Sequence, residues 1–305
     1  MFSYQKTLAN KVSCVGVGLH SGVKTSLVLN PASEDTGILF IRTDVKGKDN
    51  VVEASYKNVS NTMLGTTLCN KDGVRVATVE HLMAALWGCG IDNCVIEIDA
   101  PEVPIMDGSS EPFVFLVDCA GVKEQSKTRK VIEVLKEIRV TESDKADSGY
   151  ISIAPAEGFS VGLEIDFGDK VISNQKAVFD SRDVTFKGEL CRARTFCFEQ
   201  EVDLMRKNGL ARGGSLDNAI VVNEGGVINK DGLRYSNEFV RHKVLDCIGD
   251  IYLAGAYLKG HLSGFKSGHG LNNKLLHEFF ADEDAWRVVQ LPEGESASML
   301  QHKLN

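Results

Sequence analysis

Residues 241–250 read Arg241-His242-Lys243-Val244-Leu245-Asp246-Cys247-Ile248-Gly249-Asp250, inside a run over 237–258 whose apolar residues recur at helical spacing. A helix that apolar must be buried against other layers, so its reading decides the architecture. His242, Asp246 and Asp250 stand four apart. Each step of four advances a side chain only about 40° around a helix axis, which stacks the three on one face. Burying a histidine and two aspartates among Val244, Leu245, Ile248 and Ile251 is costly unless something binds them. A divalent metal meets that need, since His and Asp at i,i+4 form a ligand pair that helices offer to metals. A satisfied polar seam between two domains is the alternative.

Outward from this helix, the second half holds strands over 131–190, a helix near 199–208 and a final helix at 270–281. The first half follows the same order. Short strands at 26–29, 37–42 and 50–54 precede a helix over 77–89, with Thr78 as its N-cap and Gly88 and Gly90 as its stop. A buried strand at 93–99 follows, then a helix at 111–120 opened by Ser109-Ser110 and Pro112 and ended by Gly121. Residues 123–130 carry no apolar side chain and are the linker candidate. A chain of 305 residues is long for one core. The recurring order predicts an α+β fold of two similar packed domains, 1–126 and 127–290, with a polar tail at 291–305.

The composition, 43% apolar and 25% charged, is that of a folded globular protein and argues against disorder. A net charge of −8 argues against nucleic-acid binding; an anionic substrate would need a local cluster of Lys and Arg. The cysteines (Cys14, Cys69, Cys89, Cys94, Cys119, Cys191, Cys197 and Cys247) show no CxxC pair, so free thiols in a reducing compartment are expected. The first residues lack a basic segment followed by an apolar one, and no apolar stretch approaches the roughly 20 residues that span a bilayer. A cytoplasmic protein with no integral membrane segment is the expectation.

A second histidine, His81, falls in the first turn of the 77–89 helix with Glu80 directly before it. A ligating imidazole beside a carboxylate is a recurring hydrolytic arrangement, although an N-terminal Glu is also a favourable partner for the helix dipole. With His242 and Asp246 it completes a His₂Asp set, three ligands with a position open, which is the pattern of catalytic sites. A third, His269, sits between Gly268 and Gly270, which give its loop the freedom to present the ring. Asp250 can hydrogen-bond that ring and keep it protonated as a general acid; a plain loop histidine fits the spacing equally. His20, in the glycine-rich hairpin Gly16 to Gly22, reads as a turn histidine. Asp107-Gly108 reads as turn chemistry. His261, His277 and His302 carry no motif.

The set Thr78-Val-Glu80-His81-Leu, His242-Lys243-x-x-Asp246-x-x-Gly249-Asp250 and Lys266-Ser-Gly-His269-x-Leu-Asn-Asn closely resembles the zinc-dependent UDP-3-O-acyl-N-acetylglucosamine deacetylases of lipid A biosynthesis. The likeness extends to Gly16-Val-Gly-Leu-His20-Ser-Gly, Asn61-Thr62-Met63-Leu, Ala100-Pro-Glu-Val-Pro-Ile-Met-Asp107-Gly-Ser, Arg194-Thr195-Phe196 and Gly213-Gly214-Ser215. It implies two domains, each a β-α-α-β two-layer sandwich, with helices packed between the sheets and the site at the domain interface. It implies one Zn²⁺ per chain on His81, His242 and Asp246, with Fe²⁺ accepted by the same donors. Glu80 would be the general base for the attacking water, His269 the acid for the departing amine, Asp250 its orienting partner and Thr195 a donor to the oxyanion. Lys243, Phe196, Met63 and His20 would contact substrate, Lys266 its diphosphate, and Phe198, Val202 and Leu204 would wall an acyl groove. Gly65 stands where a larger residue, often Cys, is expected, a departure expected to alter the entrance and touch no catalytic position. The implied partner is the acylated UDP-N-acetylglucosamine, and a monomer is the expectation. An amidase for a different acylated sugar nucleotide, or a non-catalytic sensor of one, would use the same cleft, though a sensor has no need of both an acid and a base.

Overall fold

The computed structural model describes residues 3–145 and 147–291. Of the tail expected at 291–305, only Leu291 is among them. The chain is a mixed α+β structure with six α-helices among the described residues: α1 (Glu80–Gly88), α2 (Glu111–Ala120), α3 (Phe186–Glu189), α4 (Glu199–Lys207), α5 (Glu238–Ile251) and α6 (His269–Ala281). The first half supplies a five-stranded sheet in the order Val12–Val17, Lys24–Pro31, Cys94–Ile98, Ile38–Arg42, Val51–Glu53. The second supplies a seven-stranded sheet built around Tyr257–Phe265.

That central strand corrects the sequence reading, which ran one helix through to 258. The helix α5 stops at Ile251, a single 3₁₀ turn follows at Tyr252–Ala254, and Gly255 turns the chain at φ 84°. Residues 257–265 then pair in parallel with Lys130–Val134 and Phe159–Asp166 and antiparallel with Tyr150–Ala154. The strand was hidden because two of its buried positions are Gly260 and Gly264, where a Cβ would strike Val134 and Leu163. Close packing there replaces the apolar alternation that marks an ordinary strand.

The polar stretch 123–130 is likewise no free linker. Val122–Thr128 is a strand paired antiparallel with Tyr4–Leu8, and its side chains are mostly exposed. Backbone pairing alone needs no apolar residues. Arg129, at its end, is 2% exposed and forks onto Asp92 at 2.7 and 2.5 Å, while it also donates to the Gly90 carbonyl and stacks on Tyr257.

The two central helices are apolar almost all round, as buried helices are. Residues 80–87 of α1 are all buried, and α5 leaves only Arg241 and Lys243 partly exposed. The helix α1 packs on α5 and α2, α5 also lies on strands Phe159–Asp166 and Asn174–Asp180, and α6 lies on Ile138–Thr141 and Tyr150–Ala154. Thr78 is not the expected N-cap of α1. Val79 holds that position without a side-chain bond, while Thr78 adopts φ 56° and its hydroxyl donates to Glu102. All eight cysteines are unpaired. No helix among the described residues is long and apolar enough to cross a membrane.

Candidate active site

The site is set where α1 and α5 cross. A Cβ at Gly249 would lie 2.1 Å from the Glu80 carbonyl oxygen, so only glycine lets the two backbones approach this closely. The approach brings His81, in the first turn of α1, onto the His242–Asp246 face of α5. One ligand atom from each of the three lies within 4.8 Å of the others, and the residues are 3%, 2% and 4% exposed. Asp246 Oδ1 faces both rings, 3.3 Å from His242 Nε2 and 3.5 Å from His81 Nε2.

The donor chemistry suits a metal. His242 Nδ1 donates to the Ala193 carbonyl at 3.0 Å, which leaves the Nε2 lone pair facing the cluster. Burial pushes His242 down to about 4 against the pull of Asp246, so the ring is neutral near pH 7 as a ligand must be. Burial opposes ionisation of Asp246, yet its surroundings, the Lys243 cation among them, hold its carboxyl well below the usual carboxylate range. Asp246 Oδ1 and His81 Nδ1 are nonetheless buried without a hydrogen-bond partner. An orphaned carboxylate oxygen between two imidazoles is costly in a packed interior, and a cation removes the cost.

Glu80 and His269 flank this cluster. His269 Nε2 lies 4.0 Å from both Glu80 Oε1 and Asp246 Oδ2, while its Nδ1 is bound to Asp250 Oδ2 at 2.7 Å. Burial would lower the ring's pKa, but the charge of Asp250 outweighs it and holds His269 at about 9. Burial pushes Glu80 above the usual carboxylate range, with His269 and His81 pulling the other way. A carboxylate made more basic and an imidazole kept protonated thus face one buried point, the opposed pair that acid–base catalysis uses.

A family model described as UDP-3-O-acyl N-acetylglycosamine deacetylase matches residues 5–281 of this sequence. The chain belongs to this family. It is 50% identical over 297 residues to the UDP-3-O-acyl-N-acetylglucosamine deacetylase of Hahella chejuensis, covering 96% of each chain. To the protein of the same name from Marinobacter nauticus it is 52% identical over 297 residues, covering 96% of this chain and 95% of the relative.

The other residues singled out in the sequence fall at varied distances from the cluster. Lys243 reaches back to Asp246 Oδ2 at 3.1 Å and is held charged by it in spite of burial. Thr195 is fixed by its backbone, its N–H to the Gly108 carbonyl and its carbonyl to Ile220 N–H, next to the Ala193 carbonyl that orients His242. The Asp107-Gly108 turn is formed as expected, with Asp107 accepting from Ser109 and paired with Arg234. His20 Nε2 lies 3.1 Å from the Leu64 carbonyl, and Met63 beside it is largely exposed. Lys266 pairs with Asp166 at 3.1 Å. Phe196 packs edge-on against Phe239 and lies 6.3 Å from the His242 ring. Phe198 and Phe196 both meet Phe167, an exposed aromatic that the sequence does not mark, while α4 has no fully buried residue, with Val202 half-buried and Leu204 exposed.

A Cβ at Gly65 would lie 3.0 Å from Glu80 Oε1, so the departure at this position adjoins the carboxylate expected to be the base. Several supporting groups were also unread. Glu238, fully buried at the start of α5, accepts from Arg194 side chain and N–H and from Arg234 N–H, which ties the Thr195 loop to the ligand helix. Glu102 accepts from His20 N–H, Ser21 N–H and Thr78. Asn272, which donates to Asp250 Oδ2 at 2.9 Å, stands three residues after His269 and so shares its face of α6, a signal that the spacing carried.

Proposed function

We propose that the protein removes the N-acetyl group of UDP-3-O-acyl-N-acetylglucosamine, yielding UDP-3-O-acyl-glucosamine and acetate, as a zinc-dependent amidase in lipid A biosynthesis. The observation that carries this reading is the convergence of a three-ligand cluster, a raised carboxylate and a charged imidazole at one buried point. The names of the relatives support the substrate. His81, His242 and Asp246 would hold one Zn²⁺, with Fe²⁺ accepted by the same donors. The chemistry such an ion supplies is Lewis acidity, which acidifies water and polarises the acetamide carbonyl.

The remaining steps belong to the chain's own side chains. Glu80 takes the proton of the attacking water. Thr195 donates to the oxyanion as the carbonyl becomes tetrahedral. His269, charged and oriented by Asp250, gives its Nε2 proton to the amine nitrogen as the C–N bond breaks. Lys243, Phe196, Met63 and His20 contact substrate, Lys266 the diphosphate, and the Phe196–Phe198 edge with Phe167 guides the acyl chain. The halves 1–126 and 127–290 act as two similar β-α-α-β domains with the site at their interface, since Glu80, His81, Met63 and His20 come from one and His242, Asp246, Asp250, His269, Thr195, Lys243, Phe196 and Lys266 from the other. We place the protein in the cytoplasm, as a monomer.

The test is deacetylation of the acylated UDP-sugar with and without chelator, beside the same sugar nucleotide lacking its acyl chain. Turnover that survives exhaustive chelation sinks the metal role. Equal turnover of the non-acylated substrate would point to an amidase for another sugar nucleotide.

A further inference from the structure

Thr66 lies between the Glu80 carboxylate and the Asp250 carboxylate that holds His269, and bonds both. Its N–H donates to Glu80 Oε2 at 2.9 Å, and its hydroxyl donates to Asp250 Oδ1 at 2.5 Å, across 184 positions of sequence. Its carbonyl accepts from Val79 N–H, the residue that opens α1. The side chain is 2% exposed and touches none of the three ligand residues through any hydrogen bond. Because an ionised carboxylate only accepts, the hydroxyl must donate, and the direction of the bond is fixed.

Both oxygens of the Asp250 carboxylate are thereby engaged. Oδ1 takes the Thr66 hydroxyl, and Oδ2 takes His269 Nδ1 and the Asn272 amide. Without the hydroxyl, nothing but the ring and one amide would choose which way the carboxylate plane turns. We propose that Thr66 is a positioning residue, which locks the Asp250 carboxylate in the plane that aims His269 and holds Glu80 in the same frame. This rests on the roles given above to Glu80 and His269. Base and acid come from distant parts of the chain, and Thr66 is a single rigid residue that indexes one against the other. A buried hydroxyl that merely satisfied Asp250 would cost stability on removal and leave turnover per folded molecule intact.

The experiment compares wild type with Thr66→Val, which keeps the shape and loses the hydroxyl, and Thr66→Ser, which keeps the hydroxyl. Steady-state kinetics on the acylated UDP-sugar are read with metal content and thermal melting. Thr66→Val is expected to lose about 10- to 100-fold in kcat, the usual effect of removing a group that orients a catalytic side chain. KM should stay within about twofold, since Thr66 meets no substrate, and metal per chain should match wild type. Thr66→Ser should recover most of the loss. Wild-type kcat in Thr66→Val, an equal loss in both variants, or a loss that follows metal content would overturn the proposal. A second readout does not depend on the reaction: the downfield proton of the His269–Asp250 bond, assigned by its disappearance in His269→Gln. It should broaden or vanish in Thr66→Val and persist in Thr66→Ser; an unchanged signal in Thr66→Val counts against positioning. If wild type fails to deacetylate the substrate while this signal behaves as expected, the assigned reaction falls and the positioning role stands.

Discussion

Two polar knots of this molecule differ in how fully their atoms are used. Around Arg129, every charge is answered: the guanidinium forks onto Asp92, donates to Gly90 and stacks on Tyr257, whose hydroxyl in turn donates to the Trp87 carbonyl. Around Asp246, one carboxylate oxygen and one ring nitrogen of His81 have no hydrogen-bond partner among the described residues. Both knots are largely shielded from water, so burial alone marks neither as functional. The unanswered atoms do, because a structural knot that left them so would be penalised without return.

The largest expected effect breaks the knot at Asp246. His242→Ala should lose bound metal and reduce deacetylation to background, and unchanged zinc content by elemental analysis would remove His242 from the ligand set. Next comes Glu80→Ala, which should keep its metal yet lose roughly 10² or more in rate, on general-base magnitudes. Near-full turnover would refute the base. On the structural side, Arg129→Met leaves Asp92 buried without its cation and should cost about 3–5 kcal/mol in denaturant unfolding. Activity per folded molecule should survive, and a selective loss of turnover would erase the contrast between the knots. The mildest change is Asp250→Asn, read as the pH dependence of kcat/KM. Asp250 raises the His269 pKa, so the acid form persists as pH rises until that pKa is passed. Removing the charge lowers it, and the alkaline limb should move to lower pH. A limb that stays in place would detach His269 from the acid role.

What could be read in the sequence follows from which forces leave periodic traces. His242, Asp246 and Asp250 were legible because the helical repeat stacks them, and His81 joined them through its neighbour Glu80 and the resemblance. The α+β class followed from the order of apolar segments. The strand at 257–265 escaped because Gly260 and Gly264 fill buried positions by absence of a side chain. The strand at 122–128 escaped because its partner is met through backbone alone. Arg129 looked like one more charge in a polar run, since nothing local announces a partner 37 residues away. Thr66 works through an amide and a hydroxyl, groups too common to mark a position. Glu238 and Glu102 serve loops that only tertiary structure brings to them.

The missing side chain at Gly249 has a consequence for how the site can vary. The separation of the two ligand-bearing helices is gauged by backbone touching backbone, not by a layer of side chains that could repack. Such a gauge has no compliance. Any residue larger than glycine at 249 would wedge the helices apart and pull His81 away from His242 and Asp246 together. Gly249→Ala would then present itself as a metal-binding defect at a position that offers no ligand, with its cost written in affinity for the ion.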